Sequence, residues 1–163
     1  MASTAAASGP VPATPGAGAP EPSRPSTAGL SRGVPSHEAT VIEREAARTG
    51  VDPALLAALR RVENGRPGRE FGVLSVSAPG LEDQARVAAT SIRNAASRFE
   101  RQGGQAIDPA TGGYTDGFLR FFSARYAPVG AANDPHGLNR HHAQNLQRLY
   151  ARFRAVEDGS AQA

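Results

Sequence analysis

The group in this chain best placed to do chemistry is a glutamate where a helix ought to end. In RRVENGRPGREFGVLSV, residues 60–76, Glu63 closes a short apolar segment and Asn64-Gly65 breaks the chain directly after it. Helix C-termini carry partial negative charge and prefer cations, so the residue is not there as a helix-end stabiliser. Its phase matters too. Leu55, Leu56, Leu59 and Val62 form one stripe at helical spacing, and Glu63 lies four residues after Leu59 and seven after Leu56, on or beside that stripe. Desolvation on an apolar face disfavours the charged carboxylate, and the negative end of the helix pushes the same way. Arg60, Arg61 and Arg66 oppose this if their side chains reach it. A carboxylic acid held neutral at about pH 6 to 7 is what protonation of a leaving oxygen requires. Gly65 and Pro67 open the chain after the acid and leave space for a groove. The competing expectation is ordinary: a helix-end glutamate that turns into water or pairs with an arginine.

The elements that must position this acid are helical. Residues 1 to about 35 are almost exclusively Ala, Pro, Ser, Thr and Gly, with Val11, Leu30 and Val34 as the larger aliphatics. Such a segment buries too little apolar surface to offset its ordering entropy and is expected to be disordered, a flexible leader or tether. From Ser36, read as a helix cap, a first helix runs to about Arg48 and Gly50 closes it. Asp52-Pro53 is an N-cap acid followed by proline at the first helical position, which starts the helix carrying Glu63. A third helix spans about Leu81 to Phe99, with Leu81, Ala85, Ala88, Ile92, Ala95, Ala96 and Phe99 on one face. A Gly-rich loop follows, polar enough to be mobile. A short aromatic helix runs from Asp116 to about Arg125, and a last helix begins near Asn139 with Ala143, Leu146, Leu149, Tyr150 and Phe153 inward. FGVLSV is weakly strand-like. The expected fold is mainly α, one domain over 36–155 with long loops and little or no β, between the leader and a flexible tail at 156–163.

Bulk properties narrow the function classes. The 163 residues carry a formal charge of +3, and all 18 basic residues are Arg. A mildly basic surface suits nucleic acid, anionic lipid or bacterial wall polymer alike. Without Cys there is no disulfide framework, thiol nucleophile or thiolate metal site. No apolar run reaches the roughly 18 residues of a membrane span, and the N-terminus has neither the basic nor the apolar region of a signal peptide. His136, His141 and His142 suggest a metal, but adjacent helical residues point about 100° apart. No Cys or HExxH supports them, so they are expected to face solvent, with no metal and no cofactor. No P-loop, dinucleotide fingerprint or nucleophile elbow is present.

The segment VDPALLAALRRVENG resembles the helix that carries the catalytic glutamate of the lysozyme-like superfamily, an apolar helix ending in Glu-Ser-Gly or a close variant. FLRFFSARYAPVGAANDPHGLNRHHAQNL and EFGVLSV resemble the β-N-acetylglucosaminidase branch of that superfamily and its phage-borne relatives, over about Glu38 to Phe153. Asn64 stands where Ser is usual, and FGVLSV departs from the Gly-Leu-Met-Gln pattern of lytic transglycosylases, which argues for the glucosaminidase-like branch. The resemblance implies a lysozyme-like fold and cleavage of a β-1,4 bond of peptidoglycan with Glu63 as the acid. It also implies that Tyr126 lies across the groove, its hydroxyl stabilising the developing charge; the alternative is a ring packed on Phe122. Phe71, Tyr114, Asn133 and Asn139 are candidates to line the sugar groove, with a helix N-cap as the competing and slightly favoured reading of Asn139. Asp108, Asp116 and Asp134 are candidates for a second carboxylate, each also readable as a turn or helix-start residue. A mechanism assisted by the substrate's own acetamido group needs none of them.

Two other classes compete. A wall-binding or structural protein with the same fold needs no acid facing a groove. An Arg-rich nucleic-acid binder concentrates its charge on one helix, whereas Arg60, Arg86, Arg98, Arg120, Arg140 and Arg152 are scattered over several. The partners expected are therefore glycan strands, not nucleic acid, with a carrier or virion reached through the leader and action in the bacterial wall.

Overall fold

A computed structural model describes residues 30–73, 80–132, 134 and 136–160, with side chains to residue 156. The chain is mainly α. Among the described residues the helices are α1 (Ser36–Thr49), α2 (Pro53–Glu63), α3 (Leu81–Arg101), α4 (Asp116–Tyr126) and α5 (His142–Ser160), with a 3-10 turn at Leu138–His141. The β content among them is one isolated bridge, Ile107 to Tyr114.

The helix carrying Glu63 is the axis of the fold. Asp52 caps it, Oδ1 accepting the Ala54 amide at 2.8 Å, and Pro53 occupies the first turn. The sequence predicts a stripe, yet every residue from Ala54 to Leu59 is fully buried. A helix buried all round has neighbours on every side; here they are α1, α3 and α5. The alanines at 54, 57 and 58 are small enough to admit them. On its outer side Arg60 pairs bidentately with Glu38 of α1, Nε to Oε2 and Nη2 to Oε1 both at 2.8 Å. α3 and α4 close the other flank through Ala85, Ala88, Ile92, Phe118 and Phe122, all buried.

Several boundaries move. Leu30 and Val34 are core residues, 0% and 4% exposed, so the packed unit begins by residue 30 rather than 36. A single hydrophobic residue every few positions suffices there, because a turn (Val34 N–H on Leu30 C=O, 3.1 Å) faces both inward. The rest of the expected leader lies outside the described residues. Ser36 is the first helical residue, not the cap; Pro35 holds the cap position and no side chain caps it. The loop after α3 is tied down rather than loose. Arg154 of α5 donates to Thr111 C=O at 2.7 Å, and the Tyr114 amide donates to the Tyr150 hydroxyl at 2.9 Å. Tyr150 in turn donates to Asp52 Oδ2 at 2.6 Å, joining that loop to the start of α2. Residues 71–73 of the strand-like stretch are turn and coil, and 74–76 lie outside the described residues.

Candidate active site

Glu63 sits at the end of α2, where the chain makes two close approaches. Asn64 ends the helix in the left-handed region, φ 44°, its N–H on the Arg60 carbonyl at 3.1 Å. Asn tolerates that conformation better than other side chains, because its short polar group bonds locally. Gly65 follows because the chain returns across it: a Cβ there would collide with the Arg69 carbonyl. Two turns, Arg69 N–H on Arg66 C=O at 2.8 Å and Gly72 N–H on Arg69 C=O at 3.0 Å, bring Phe71–Val73 over the helix end. Gly72, φ 68°, then lies against the Glu63 carboxyl, and a Cβ would overlap Oε2.

This backbone wall is gripped from three directions. The Tyr126 hydroxyl donates to the Phe71 carbonyl at 2.6 Å. Fully buried Gln84 accepts the Val73 N–H at 3.3 Å and donates to the Val73 carbonyl at 3.2 Å. Arg69 donates to the same carbonyl at 3.1 Å.

The other oxygen of Glu63 is held from behind. Oε1 lies 2.9 Å from His142 Nε2, with the glutamate side chain 18% and the histidine 6% exposed. His142 Nδ1 lies 3.0 Å from Ser123 Oγ, and Ser123 is itself buried. Three proton arrangements satisfy the row. Ser123 donates to Nδ1 and Nε2–H to the carboxyl, or both N–H groups of an imidazolium donate to the carboxylate and to Ser123, or a Glu63 acid proton is donated to Nε2 and Nδ1–H to Ser123. Buried as it is, Ser123 cannot meet a substrate as a nucleophile. The row therefore orients Glu63.

His142 corrects the expectation of three solvent-facing histidines. His136 and His141 are exposed, but His142 turns inward. A 3-10 turn over Leu138–His141 leads into the last helix, whose α-helical part starts at His142. His142 precedes Leu146 by four residues and Leu149 by seven, the relation that singles out Glu63 on its own helix. That signal was present in the sequence.

Glu63 opens onto a cleft of about 350 Å³, walled by Gly72, Val73, Arg125, Tyr126 and Asn139 among others. Glu63 is the one carboxylate among the described residues lining it, and residues 74–79, LSVSAP, carry none. Arg60 does not reach the acid's side of the helix, being engaged by Glu38; Arg61 and Arg66 are exposed.

Tyr126 shows the ring packing that is one of its two expected roles, and its hydroxyl turns to the backbone wall. Its ring packs on Phe122 at a centroid distance of 5.0 Å and it lines the cleft, while its hydroxyl hydrogen is committed to Phe71. Burial, and secondarily the Glu63 charge, raise its pKa well above the ordinary phenol value, so it stays neutral. Asn139 lines the cleft, its amide donating to the Pro128 carbonyl at 3.0 Å. It is not an N-cap: Gly137 holds that position, and the first amides are met by Asp134, Oδ1 accepting Leu138 N–H at 2.7 Å and Oδ2 accepting Asn139 N–H at 3.1 Å.

The remaining candidates fall elsewhere. Phe71 is fully buried and offers the site its carbonyl, not its ring face. Tyr114 is not part of the cleft wall. It stacks on Phe118 at 4.8 Å, and burial together with the Asp52 charge raises its pKa to about 12. Asn133 lies outside the described residues. Of the further carboxylates, Asp108 closes a turn on Ala110 N–H and Thr111 Oγ1, at 2.9 and 3.1 Å. Asp116 is an exposed first-turn residue behind the Thr115 cap. Neither Asp108, Asp116 nor Asp134 lines the cleft. Among the described residues no three His, Cys, Asp or Glu converge as a metal site, and no helix is long and apolar enough to cross a membrane. Compared with known protein families, curated proteins and solved structures, the chain finds no match.

Proposed function

We propose that this chain is a peptidoglycan glycoside hydrolase that cuts β-1,4 bonds of the glycan with Glu63 as its single acid. The observation that carries the reading is the division of labour on one carboxyl group. Oε1 is anchored by the buried His142–Ser123 row at 2.9 Å, while Oε2 lies against Gly72, a residue that lines the cleft together with Glu63. A carboxyl fixed by one oxygen presents the other in a defined direction, which proton transfer to a leaving oxygen requires. The resemblance of residues 51–65 to the lysozyme-like glutamate helix supplies the substrate class.

In this mechanism Glu63 Oε2–H protonates the glycosidic oxygen as the bond to the anomeric carbon breaks. The carbonyl oxygen of the neighbouring acetamido group closes on that carbon in the same step. Glu63, now a carboxylate, takes a proton from water, which opens the cyclic intermediate and leaves the sugar with retained configuration. No second carboxylate is required, in keeping with a cleft whose described lining residues include one. Tyr126 acts by holding the Phe71–Val73 wall rather than by giving up its proton.

A second reading, a wall-binding protein without catalysis, draws on the same His142 contact, since a purely structural glutamate is also well served by it. Mass spectrometry of soluble fragments from purified peptidoglycan separates the two. New reducing ends with wild type and none with Glu63→Gln support the hydrolase, and the identity of the reducing sugar tells which bond is cut. Anhydro ends move the enzyme to the transglycosylases with the same acid. Binding to the wall without any release of fragments by wild type establishes the second reading.

A further inference from the structure

A second hollow of about 280 Å³ opens off the Glu63 cleft and shares Ser91, Arg125 and Tyr126 with it. From α3 it is walled by Ser91, Asn94, Ala95 and Arg98, one helix face at i, i+3, i+4 and i+7. Phe122, Arg125 and Tyr126 of α4 face them at the same spacing. Ser91 and Arg98 stand about 10 Å apart along the helix axis, so the hollow extends along α3 away from the residues it shares with the Glu63 cleft.

The charge of that hollow is one-sided. It holds two guanidiniums and the Asn94 amide, and no carboxylate among its lining residues. Neither Arg98 nor Arg125 forms an ion pair among the described residues. Arg125 is laid over the Phe121 ring, 4.6 Å from its centroid. Stacking on an aromatic face fixes the plane of a guanidinium and leaves its N–H edge for a ligand, and that edge matches a carboxylate. An unsubstituted neutral glycan would leave both cations in the hollow unanswered.

We propose that this hollow is a carboxylate-binding subsite, and that the substrate is a glycan whose peptide arm sets a free carboxylate beside Arg98 and Arg125 while the scissile bond lies at Glu63. The identity of the glycan rests on the hydrolase reading; the carboxylate recognition does not. Specificity then comes from the arm as well as the sugars, and naked N-acetylglucosamine oligomers bind through the Glu63 cleft alone. A duplex nucleic acid is the poorer occupant, because phosphate tracking needs a row of cations and this hollow presents two.

Calorimetric titration of the Glu63→Gln protein, which reads binding without turnover, tests this. The probes are tetrasaccharide peptidoglycan fragments with free peptide carboxylates, the same fragments amidated with ammonia and carbodiimide, and neutral N-acetylglucosamine oligomers. The free acids are expected to bind roughly tenfold tighter than the amides. Adding Arg98→Gln should cut that preference to less than about threefold and leave the neutral oligomers unaffected. Arg98 is exposed, so the variant should melt with its parent. Equal affinity for acid and amide, or a preference that survives Arg98→Gln, overturns the proposal. So does duplex DNA binding that is lost in Arg98→Gln with no fragment preference. If wild type releases no fragments but the acid preference holds, the subsite stands without the hydrolase; if fragments are released without the preference, the hydrolase stands without the subsite.

Discussion

Replacing His142 with Phe is the sharpest probe of the site, because it keeps a planar aromatic ring there and removes both polar contacts. The side chain is 6% exposed between Glu63 Oε1 at 2.9 Å and Ser123 Oγ at 3.0 Å. A hydrogen bond to a charged group contributes about 1.5–3 kcal/mol, and a buried hydroxyl left without a partner costs about 1–3 kcal/mol. Glu63 retains some contact with water at 18% exposure, which softens the first figure, so the two together come to about 2–4 kcal/mol. Urea unfolding should show this as a lower midpoint at unchanged slope. The contact itself is isolated by a double-mutant cycle with Glu63→Ala, where a coupling of about 1–2 kcal/mol is expected. Catalysis should fall further than stability, since an unanchored carboxyl no longer presents Oε2 in one direction. A loss of under about 0.5 kcal/mol with additive single effects would show that His142 and Glu63 do not meet. Full activity in a destabilised His142→Phe would confine the histidine to folding.

Three further outcomes follow from other contacts. Gly72→Ala should cost about 1–2 kcal/mol for a left-handed φ on a side-chain-bearing residue and displace the Glu63 carboxyl it would overlap. Fragment release by Gly72→Ala should therefore drop at temperatures where circular dichroism still reports a folded protein, and retained activity would contradict the close approach. Arg60→Met should cost about 3–5 kcal/mol by stranding Glu38, 6% exposed, whereas Glu38→Leu with Arg60→Met should recover most of it; a double variant as unstable as the single would refute the pairing. The third is alkaline. The phenols of Tyr114, Tyr126 and Tyr150, all the tyrosines of the chain, have pKa values raised above 10.0, first by burial. The unfolded chain releases these protons from about pH 10 while the fold keeps them. Their contribution is thus complete below about pH 10 and is lost above it at up to about 1.4 kcal/mol per phenol per pH unit. With no Lys in the chain to titrate in that window, tyrosinate absorbance should appear together with unfolding; gradual ionisation near pH 10 in a folded protein would contradict the burial.

Local chemistry in the sequence decided the helices and their ends. The Asp52-Pro53 start, the Leu55–Leu59 stripe, the Gly50 closure and the phase of Glu63 each depend on residues within two turns of one another, so composition and spacing suffice to read them. His142 was as legible by the same arithmetic, since a helix from near Asn139 already contains it; the exact start of the helix follows a 3-10 turn whose amides Asp134 accepts, and that depends on the path of a loop. What spacing cannot supply is which faces meet. Glu63 and His142 are 79 residues apart, and Tyr126 reaches Phe71 across 55. Both contacts exist because α2 is enclosed by α1, α3 and α5, and because the chain returns across Gly65 to lay Gly72 on the acid. Tertiary packing also sent Phe71 to the core and Tyr114 to the Asp52 network, since an aromatic ring is drawn to whichever apolar site is nearest rather than to a groove. The acid was written in the helix; its anchor and its wall were decided by the fold.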